Sequence, residues 1–247
     1  MHTKKLLSLF LLLLTNYTYS FRVSPIILNF TPDKPSNTQT MTLINEKDVS
    51  LPVEVSVFTR EIDSKGEETR VPSEDFLVFP QQLILKPKER RNIRFTWKGK
   101  SNLDQEKSYR FLVHQVPIKV QKKKKNQRNA KVAIDFFFNY MAAGFVTPVD
   151  AQPNLSVSKI IRINKKKLKF ILKNTGNTHA YLRDYEIYLE SANLTGNLKK
   201  QRKLESESIQ KVLAGINILA NSSREIELTI PAKTISGEPR LKFSRRK

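Results

Sequence analysis

The sequence has no cysteine among its 247 residues. Disulfide-bonded scaffolds, zinc sites with cysteine ligands and cysteine nucleophiles are therefore excluded. Histidine is almost as rare, since only His2, His114 and His179 occur, and this excludes a histidine-rich metal site. We expect His179 to lie at a turn or a domain face rather than to bind a ligand. Glycine occurs only 7 times, so turns must be formed mainly by Asn, Asp and Pro.

Sequence motifs of common catalytic sites are also missing. The chain contains no glycine-rich phosphate loop, no G-x-S-x-G elbow and no H-E-x-x-H motif. Nothing in the placement of its acidic residues supports a hydrolase with paired carboxylates. We therefore predict a protein that is not an enzyme and that needs neither a cofactor nor a metal.

Acidic residues are few relative to basic ones: 23 Asp and Glu stand against 44 Lys and Arg, a net charge of +21. Such a charge can attract nucleic acid or anionic membrane surfaces. The basic runs lack the interleaved aromatic side chains of a nucleic-acid stacking platform. We therefore expect solvated loops and a basic tail, and no nucleic-acid partner. The runs are Lys122–Lys125, Lys165–Lys167, Lys199–Lys203 and Arg240–Lys247.

Residues 1–20 have the pattern of a secretory signal peptide. Lys4 and Lys5 provide a positive segment, Leu6–Leu14 an apolar segment, and Ser20 ends a short cleavage site. The apolar run is only half of the about 18–20 residues that a membrane-spanning helix needs, and no later run is long enough. We predict cleavage near Ser20, export of the remaining chain and no stable membrane insertion.

The rest of the chain has enough apolar residues for packed cores, because 39% of the sequence is hydrophobic. Two domains fit this length better than one. Pro148 and Pro153 stand between apolar stretches and mark the boundary. We predict an N-terminal domain at residues 21–148 and a smaller C-terminal domain at residues 149–247.

Alternation of apolar and polar residues with a period of two predicts strands in both domains. No segment with a helical period exceeds two turns. The predicted fold class is therefore all-β, with immunoglobulin-like β-sandwich domains. The predicted strands are Phe21–Phe30, Thr38–Asn45, Leu51–Arg60, Arg91–Trp97, Ser108–Val120, Leu155–Ile163, Lys167–Asn174, Ala180–Glu190, Gln210–Leu213 and Arg224–Ile230.

Residues 121–148 carry most of the functional information. A basic loop is followed by a strand whose large apolar residues share one parity and therefore one face. An ordinary core strand would have this pattern. A strand lent to another protein would also have it, because backbone groups provide affinity and alternate side chains fill pockets. The residues are Val132, Ile134, Phe136, Phe138 and Tyr140.

Short motifs follow one another in a characteristic order over nearly the whole chain after residue 20. They are Val23-Ser24-Pro25, Thr42-Leu43-Ile44-Asn45, Pro52-Val53-Glu54-Val55, Phe79-Pro80, Leu85-Lys86-Pro87, Arg91-Asn92-Ile93-Arg94, Tyr109-Arg110-Phe111-Leu112, Val116-Pro117, Phe145-Val146-Thr147-Pro148 and the segment Leu172–Ala180. Their order and spacing resemble those of the PapD-like periplasmic chaperones of the chaperone–usher pilus pathway.

The resemblance implies two immunoglobulin-like domains in an L-shaped (boomerang) arrangement, located in the periplasm. Pilus subunits of this pathway lack their last strand, and the chaperone lends one of its own to fill the groove. Aligned on Pro148, the lent residues are Ile134, Phe136 and Phe138, with Val132 as an additional anchor. The implied partners are a pilus or fimbrial subunit, an outer-membrane usher and, as a self-capping oligomer, a second copy of the chain.

The sequence departs from the best-known family members at the site that holds the subunit's C-terminal carboxylate. Those members use an Arg in the first strand and a Lys in the lent strand. The aligned lent-strand position is Ala143 here, and the first strand offers only Arg22. Our candidate anchors are Arg110 and Arg94, because a guanidinium can bind a carboxylate through two hydrogen bonds. Either could equally be a surface arginine on a polar strand face.

Two other functions stay open. One is a secreted basic β-sandwich that binds polyanions, and strong salt dependence of binding would favour it. The other is a surface structural or adhesive subunit with the same fold. Such a subunit would need its own N-terminal donor segment and an open groove, whereas the strand set predicted here is complete.

Overall fold

The computed structural model describes residues 21–33, 36–117, 137–192, 198–230 and 238–246. The predicted signal peptide lies outside these ranges, as do Val132, Ile134 and Phe136. Strands β1 to β10 form the first part of the fold. They are β1 (Phe21–Ser24), β2 (Ile27–Phe30), β3 (Thr38–Asn45), β4 (Leu51–Ile62), β5 (Glu68–Pro72), β6 (Phe76–Phe79), β7 (Gln82–Leu85), β8 (Arg90–Trp97), β9 (Lys107–Gln115) and β10 (Asn139–Val146).

The first predicted strand, Phe21–Phe30, is divided at Pro25 into two strands that belong to different sheets. β1 pairs with β3, whereas β2 runs parallel to β10. Proline has no backbone N–H for a sheet hydrogen bond, so a strand is readily interrupted at this position. The chain thus crosses from one layer of the sandwich to the other within six residues.

The two layers of the first part enclose an aromatic core. One sheet has the order β1-β3-β8-β6, and the other has the order β2-β10-β9-β4-β5, with β7 also paired to β4. Phe111 lies fully buried between the layers, with its ring centroid 4.5 Å from that of Phe95 and 5.1 Å from that of Phe76. Gly144 of β10 packs directly against Phe111, and a Cβ atom at this position would overlap the Phe111 ring. This contact brings β10 close to the centre of the core.

The second part of the fold contains a separate core formed by three small sheets and one helix. Their orders are β11-β12-β17, β15-β14-β18 and β13-β16. Fully buried Leu168, Leu172 and Leu182 contribute to this core. The elements are β11 (Leu155–Asn164), β12 (Lys167–Asn174), β13 (Ala180–Tyr181), a 3₁₀ turn (Leu182–Asp184), β14 (Tyr185–Ala192), β15 (Leu198–Lys203), α1 (Glu207–Ala214), β16 (Asn217–Ile218), β17 (Ser222–Thr229) and β18 (Glu238–Arg245).

Three predictions in the second part were wrong. The predicted strand Gln210–Leu213 is part of α1, because Ile209 and Leu213 are four residues apart and both face the core from a helix. The basic run Lys199–Lys203 is a strand, β15, rather than a loop. The basic tail forms most of β18, because Leu241 and Phe243 pack inward between its charged residues.

The architecture confirms the predicted fold class, all-β with immunoglobulin-like sandwich domains. β10 ends at Val146 and β11 begins at Leu155, so the predicted boundary at Pro148 lies in the connection between the two parts. Within the described ranges, no helix has the length and apolar character that crossing a membrane requires.

Candidate functional site: an open strand edge and an arginine cluster

β10 has an edge that is only partly paired. It pairs with β9 along its whole length, but with β2 only from Ala143 to Val146. The Ala143 N–H donates to the carbonyl oxygen of Ile26 at 2.9 Å, so the backbone groups of Ala143 point toward β2. Since backbone direction alternates along a strand, the polar backbone groups of Asn139 and Met141 point to the same side. No described strand lies beside them there. We call residues 139–142 the open edge.

Apolar side chains border the open edge. Ile26 is 62% exposed, Phe137 51% and Met141 38%. Unpaired backbone groups next to exposed apolar side chains form a template on which another chain can add a strand. The open edge therefore has both features that strand addition requires.

The two faces of β10 have different surroundings. Phe138, Tyr140, Ala142 and Val146 face the core of the first part. The Tyr140 hydroxyl also donates a hydrogen bond to the Phe21 carbonyl oxygen. The predicted lent residues have this same parity, but Phe138 alone lies within the described residues. It is half-buried against the first core, with Lys47 Nζ 4.8 Å from its ring centroid.

Three arginines converge on one carboxylate on the outward face of the sheet that contains β10. Arg110 Nε lies 2.9 Å from Glu68 Oε1, and Arg110 Nη2 lies 2.5 Å from Glu68 Oε2. Arg60 Nε donates to Glu68 Oε2 at 2.8 Å, and Arg70 Nε lies 3.7 Å from Glu68 Oε1. We call Arg60, Arg70 and Arg110 the arginine cluster. It holds three positive charges around a single negative one.

The electrostatics of the cluster reflect its partial burial. Burial and the positive charge of Arg110 lower the pKa of Arg60. Burial acts to raise the pKa of Glu68, but hydrogen bonds from Arg110 and Arg60 outweigh it and hold that pKa below its usual value. Glu68 therefore stays ionised, and the guanidinium groups lie close together in spite of their mutual repulsion.

The arginine cluster lies next to the open edge. Arg110 is the direct cross-strand neighbour of Ala143, so the two side chains project from the same face of the sheet. Ala143 is buried in a small apolar cluster with Phe145 and Leu219, so the open approach to the arginine cluster lies at Met141 and not at Ala143. Arg70 reaches over this face to β10, where its Nη1 lies 3.0 Å from Met141 Sδ. A carboxylate at the end of a strand added to β10 would thus be within reach of the cluster.

Of the two arginines predicted as anchors, only Arg110 lies near β10. Arg94 is an exposed residue of β8, in the opposite sheet. It lines a cleft together with Phe79 and Ile84, which are 71% and 59% exposed. The structure therefore does not bring Arg94 and Arg110 together, and they cannot hold the same carboxylate.

Sequence reasoning missed Arg60, Arg70 and Glu68. The turn signal Ser64-Lys65-Gly66 contained the information, because a hairpin centred there pairs Arg60 with Arg70. The turn signal does not indicate which neighbouring strand provides the remaining arginine of the cluster. Arg110 joins from β9, 42 residues from Glu68 in the chain.

A second polar group fastens the end of β10 to the second part of the fold. The side chain of Glu106 is 1% exposed and accepts hydrogen bonds from Thr147 Oγ1 at 2.8 Å and Thr178 Oγ1 at 2.6 Å. The backbone N–H of His179 donates to it at 3.1 Å, and His179 Nδ1 lies 2.8 Å away. We call this group the Glu106 hub. The His179 ring stacks on Phe145 of β10, with centroids 3.9 Å apart.

The Glu106 hub agrees with the expectation that His179 lies at a domain face. Burial acts to raise the pKa of Glu106, but the hydrogen bond and charge of His179, with hydrogen bonds from Thr178 and Thr147, hold that pKa below its usual value. The described residues contain no group of three or more potential metal ligands. Through Thr147 and the stack of His179 on Phe145, the hub holds the end of β10 against the second part of the fold.

A family model matches residues 23–139, with the description "Pili and flagellar-assembly chaperone, PapD N-terminal domain". No curated protein sequence matches the chain. The match covers β2 to β9 and the arginine cluster but ends at the first residue of β10.

Solved structures resemble the chain over both parts of the fold. The class 5 fimbriae chaperone CfaA is 17% identical with a TM-score of 0.58, covering 92% of this chain and 100% of that one. A chaperone–tip adhesin complex of CFA/I fimbriae biogenesis is 18% identical with a TM-score of 0.57, covering 90% of this chain and 98% of that one. The CsuC–CsuE chaperone–tip subunit complex of archaic Csu pili from Acinetobacter baumannii is 16% identical with a TM-score of 0.53, covering 84% of this chain and 89% of that one. At these identities the likeness shows a shared fold.

Proposed function

Through residues 23–139 the chain belongs to the PapD-like family of pilus and flagellar-assembly chaperones, and from this membership we propose that it captures a pilus or fimbrial subunit by lending it a strand. The lent strand is the one that leads into β10, with Val132, Ile134 and Phe136 as its inserted side chains. Phe138, the fourth residue predicted for this role, packs against the first core of this chain and closes the series. The subunit is released to an outer-membrane usher, and no nucleotide is consumed.

The observation that carries this proposal is the open edge. Asn139–Ala142 has backbone groups on one side that no strand of the described residues pairs, next to the exposed side chains of Ile26, Phe137 and Met141. A subunit strand placed there would continue the sheet of the first sandwich. Burial of each large apolar side chain in the subunit's groove contributes roughly 1.5–3 kcal/mol. Three or four such side chains suffice to hold an incomplete sandwich in solution.

Capture is tested by co-expressing the chain with a candidate pilin-like subunit and purifying the tagged chaperone from a periplasmic extract. We expect a soluble one-to-one complex. Without the chaperone, the subunit should be degraded or should aggregate. Recovery of equal amounts of soluble subunit with and without the chaperone would refute the proposal. Use of periplasmic extract tests the predicted export at the same time.

We assign Arg110 as the group that holds the subunit's C-terminal carboxylate. It lies beside Ala143 on the face next to the open edge, and its guanidinium already binds a carboxylate through two nitrogens. An arginine on the neighbouring strand would thereby replace the lysine that the family resemblance leads one to expect at Ala143.

Replacing Arg110 with Gln should lower subunit capture on the order of tenfold, because hydrogen bonds to charged groups contribute about 1.5–3 kcal/mol. The measurement is the amount of subunit retained per chaperone after washing. Arg94→Gln is the matched control, since it removes the same charge from the opposite sheet, and it should leave capture unchanged. An equal loss in both variants would show that general positive charge is responsible.

We propose that the cleft around Phe79, Ile84 and Arg94 contacts the usher. Phe79 and Arg94 belong to the sheet opposite to the open edge, and Ile84 lies on β7, which pairs with β4 and not with β10. The cleft is therefore separate from the open edge and stays accessible after a subunit is bound. It combines exposed apolar side chains with a cation, which is the character of a protein-binding patch.

Phe79→Ser should leave subunit capture intact and reduce fibre assembly at least about tenfold. Phe79 is 71% exposed, so the substitution removes little packing within the fold. The measurement compares surface fibres with the periplasmic chaperone–subunit complex in cells that also produce the usher. Val71→Ser, at a position that is 56% exposed on β5, is the control. Normal fibre assembly by the Phe79 variant would rule out this cleft.

A further inference from the structure

The arginine cluster is already occupied by a carboxylate of the chain itself. Glu68 accepts hydrogen bonds from Arg60 and Arg110 with both of its oxygens. Its carboxylate therefore lies where an incoming carboxylate would make its best contacts. A subunit carboxylate that binds Arg110 through two nitrogens must displace Glu68 or share the cluster with it.

We infer that Glu68 is a built-in competitor, which occupies the carboxylate site of the free chaperone and is displaced by the subunit's C-terminal carboxylate. The inference rests on the proposed function and describes how the same site is regulated. Exchange of one carboxylate for another keeps the charge balance of the buried guanidinium groups, so neither state leaves Arg60 without an anionic partner.

The placement of the four side chains fits such an exchange. The Arg60 side chain is 8% exposed and fixed in position, whereas that of Glu68 is 21% exposed. Glu68 begins β5, which is the outer strand of its sheet and pairs only with β4. The remaining residues of β5 are exposed. The acceptor can therefore move outward while the arginines stay in place.

Arg70 provides donor capacity that Glu68 does not use. Its Nη1 points at Met141 Sδ, and a thioether is a weak acceptor. Arg70 is also 3.7 Å from Glu68, longer than a hydrogen bond. A carboxylate arriving over Met141 would meet this guanidinium first and Arg110 next. The cluster thus has a charge excess on the side that faces the open edge.

Competition by Glu68 makes capture selective. A free carboxylate or another small anion gains only the contacts that Glu68 already makes, so it does not displace Glu68 effectively. A subunit terminus also gains backbone hydrogen bonds along the open edge. Only a ligand with both features has enough binding free energy to exchange with Glu68.

The test compares two synthetic twelve-residue peptides of alternating Val and Thr that differ only in ending with a free carboxylate or a carboxamide. Their affinities are measured for the whole exported chain, Glu68→Gln and Glu67→Gln. Glu67 is exposed and adjacent, so its substitution changes net charge equally without touching the cluster. We expect the carboxylate-to-carboxamide preference to rise on the order of tenfold in Glu68→Gln and to stay unchanged in Glu67→Gln.

An unchanged preference in Glu68→Gln would overturn the inference. Because this variant could fold poorly, the wild-type protein provides a second measurement. Addition of the free-acid peptide, but not the carboxamide, should shift the Nε–Hε NMR signal of Arg110 and the carboxyl signal of Glu68. Absence of both shifts would also overturn it. Subunit capture by co-expression is measured in parallel. If capture is absent but the protein still prefers the free-acid peptide over the carboxamide, the proposed function alone is refuted. If capture occurs without this preference, the inference alone is refuted.

Discussion

Replacing Glu106 with Ala should lower the free energy of unfolding by about 3–5 kcal/mol, because each buried donor that loses its acceptor costs about 1–3 kcal/mol. Glu106 is almost completely buried and accepts hydrogen bonds from Thr147, Thr178 and His179. All of these donors would lose their acceptor together. The end of β10 would also lose its polar connection to the second part of the fold.

Urea unfolding followed by circular dichroism measures this effect. Glu61→Ala is a suitable control, because Glu61 is an exposed carboxylate on β4 and should change stability by less than about 0.5 kcal/mol. A similar small change for Glu106→Ala would mean that the hub does not stabilise the domain contact. We also expect subunit capture by this variant to be reduced, since β10 is held by the hub at its end.

The same hub gives stability a defined pH dependence. The pKa of Glu106 is lower in the folded protein than its usual value, so the folded state favours the charged carboxylate. Its contribution is complete above the pKa of the unfolded state, about 4.3, and is lost as pH falls through the lower folded pKa. The stability difference between wild type and Glu106→Ala should therefore shrink below about pH 4.

The double substitution Ile134→Asp with Phe136→Asp should abolish subunit capture, with a loss of more than about 100-fold. Two inserted apolar side chains contribute together roughly 3–6 kcal/mol, and two carboxylates would instead have to enter an apolar groove. The measurement is soluble subunit recovered with the tagged chaperone from periplasmic extract.

The matched control is Ala130→Asp with Ala133→Asp, which adds the same two charges outside the proposed inserted set and the open edge. Capture by this variant should be largely preserved. Equal loss in both double variants would show that charge anywhere on the segment prevents binding. Equal retention would indicate that the segment is not the lent strand, and a polyanion-binding surface would then explain the basic chain better.

Predictions from the local sequence pattern succeeded for strands in which apolar and polar residues alternate and the apolar residues are the buried ones. The strands Thr38–Asn45 and Lys167–Asn174 were predicted with the bounds that the structure shows. Their side chains alternate between core and solvent, which is visible in the sequence alone. The segment Gln210–Leu213 failed because four residues are too few to distinguish a helical period from a strand. β18 was missed because its cations hide the alternation of Leu241 and Phe243.

The candidate site was only partly accessible to sequence reasoning. Arg110 was proposed from its place in a motif. The segment that leads into β10 was predicted as a lent strand, but the open edge at residues 139–142 was not predicted. Glu68 and Arg60 were not identified, because their meeting with Arg110 depends on the order β9-β4-β5 in the sheet. Arg94 was equally plausible from the sequence, and only its position on the opposite sheet separates it from Arg110.

The amino-acid sequence by itself determined the all-β class, the resemblance to the PapD-like family and the parity of the apolar residues in the segment that leads into β10. These properties depend on local period and motif order, which the linear chain displays. The tertiary structure alone decided that three arginines share one carboxylate and that Glu106 meets His179, 73 residues away. The physical reason is that sheet pairing and core packing bring these groups together in spite of desolvation and charge repulsion. Pairing and packing act between residues that are distant in the chain, so the local pattern does not display them.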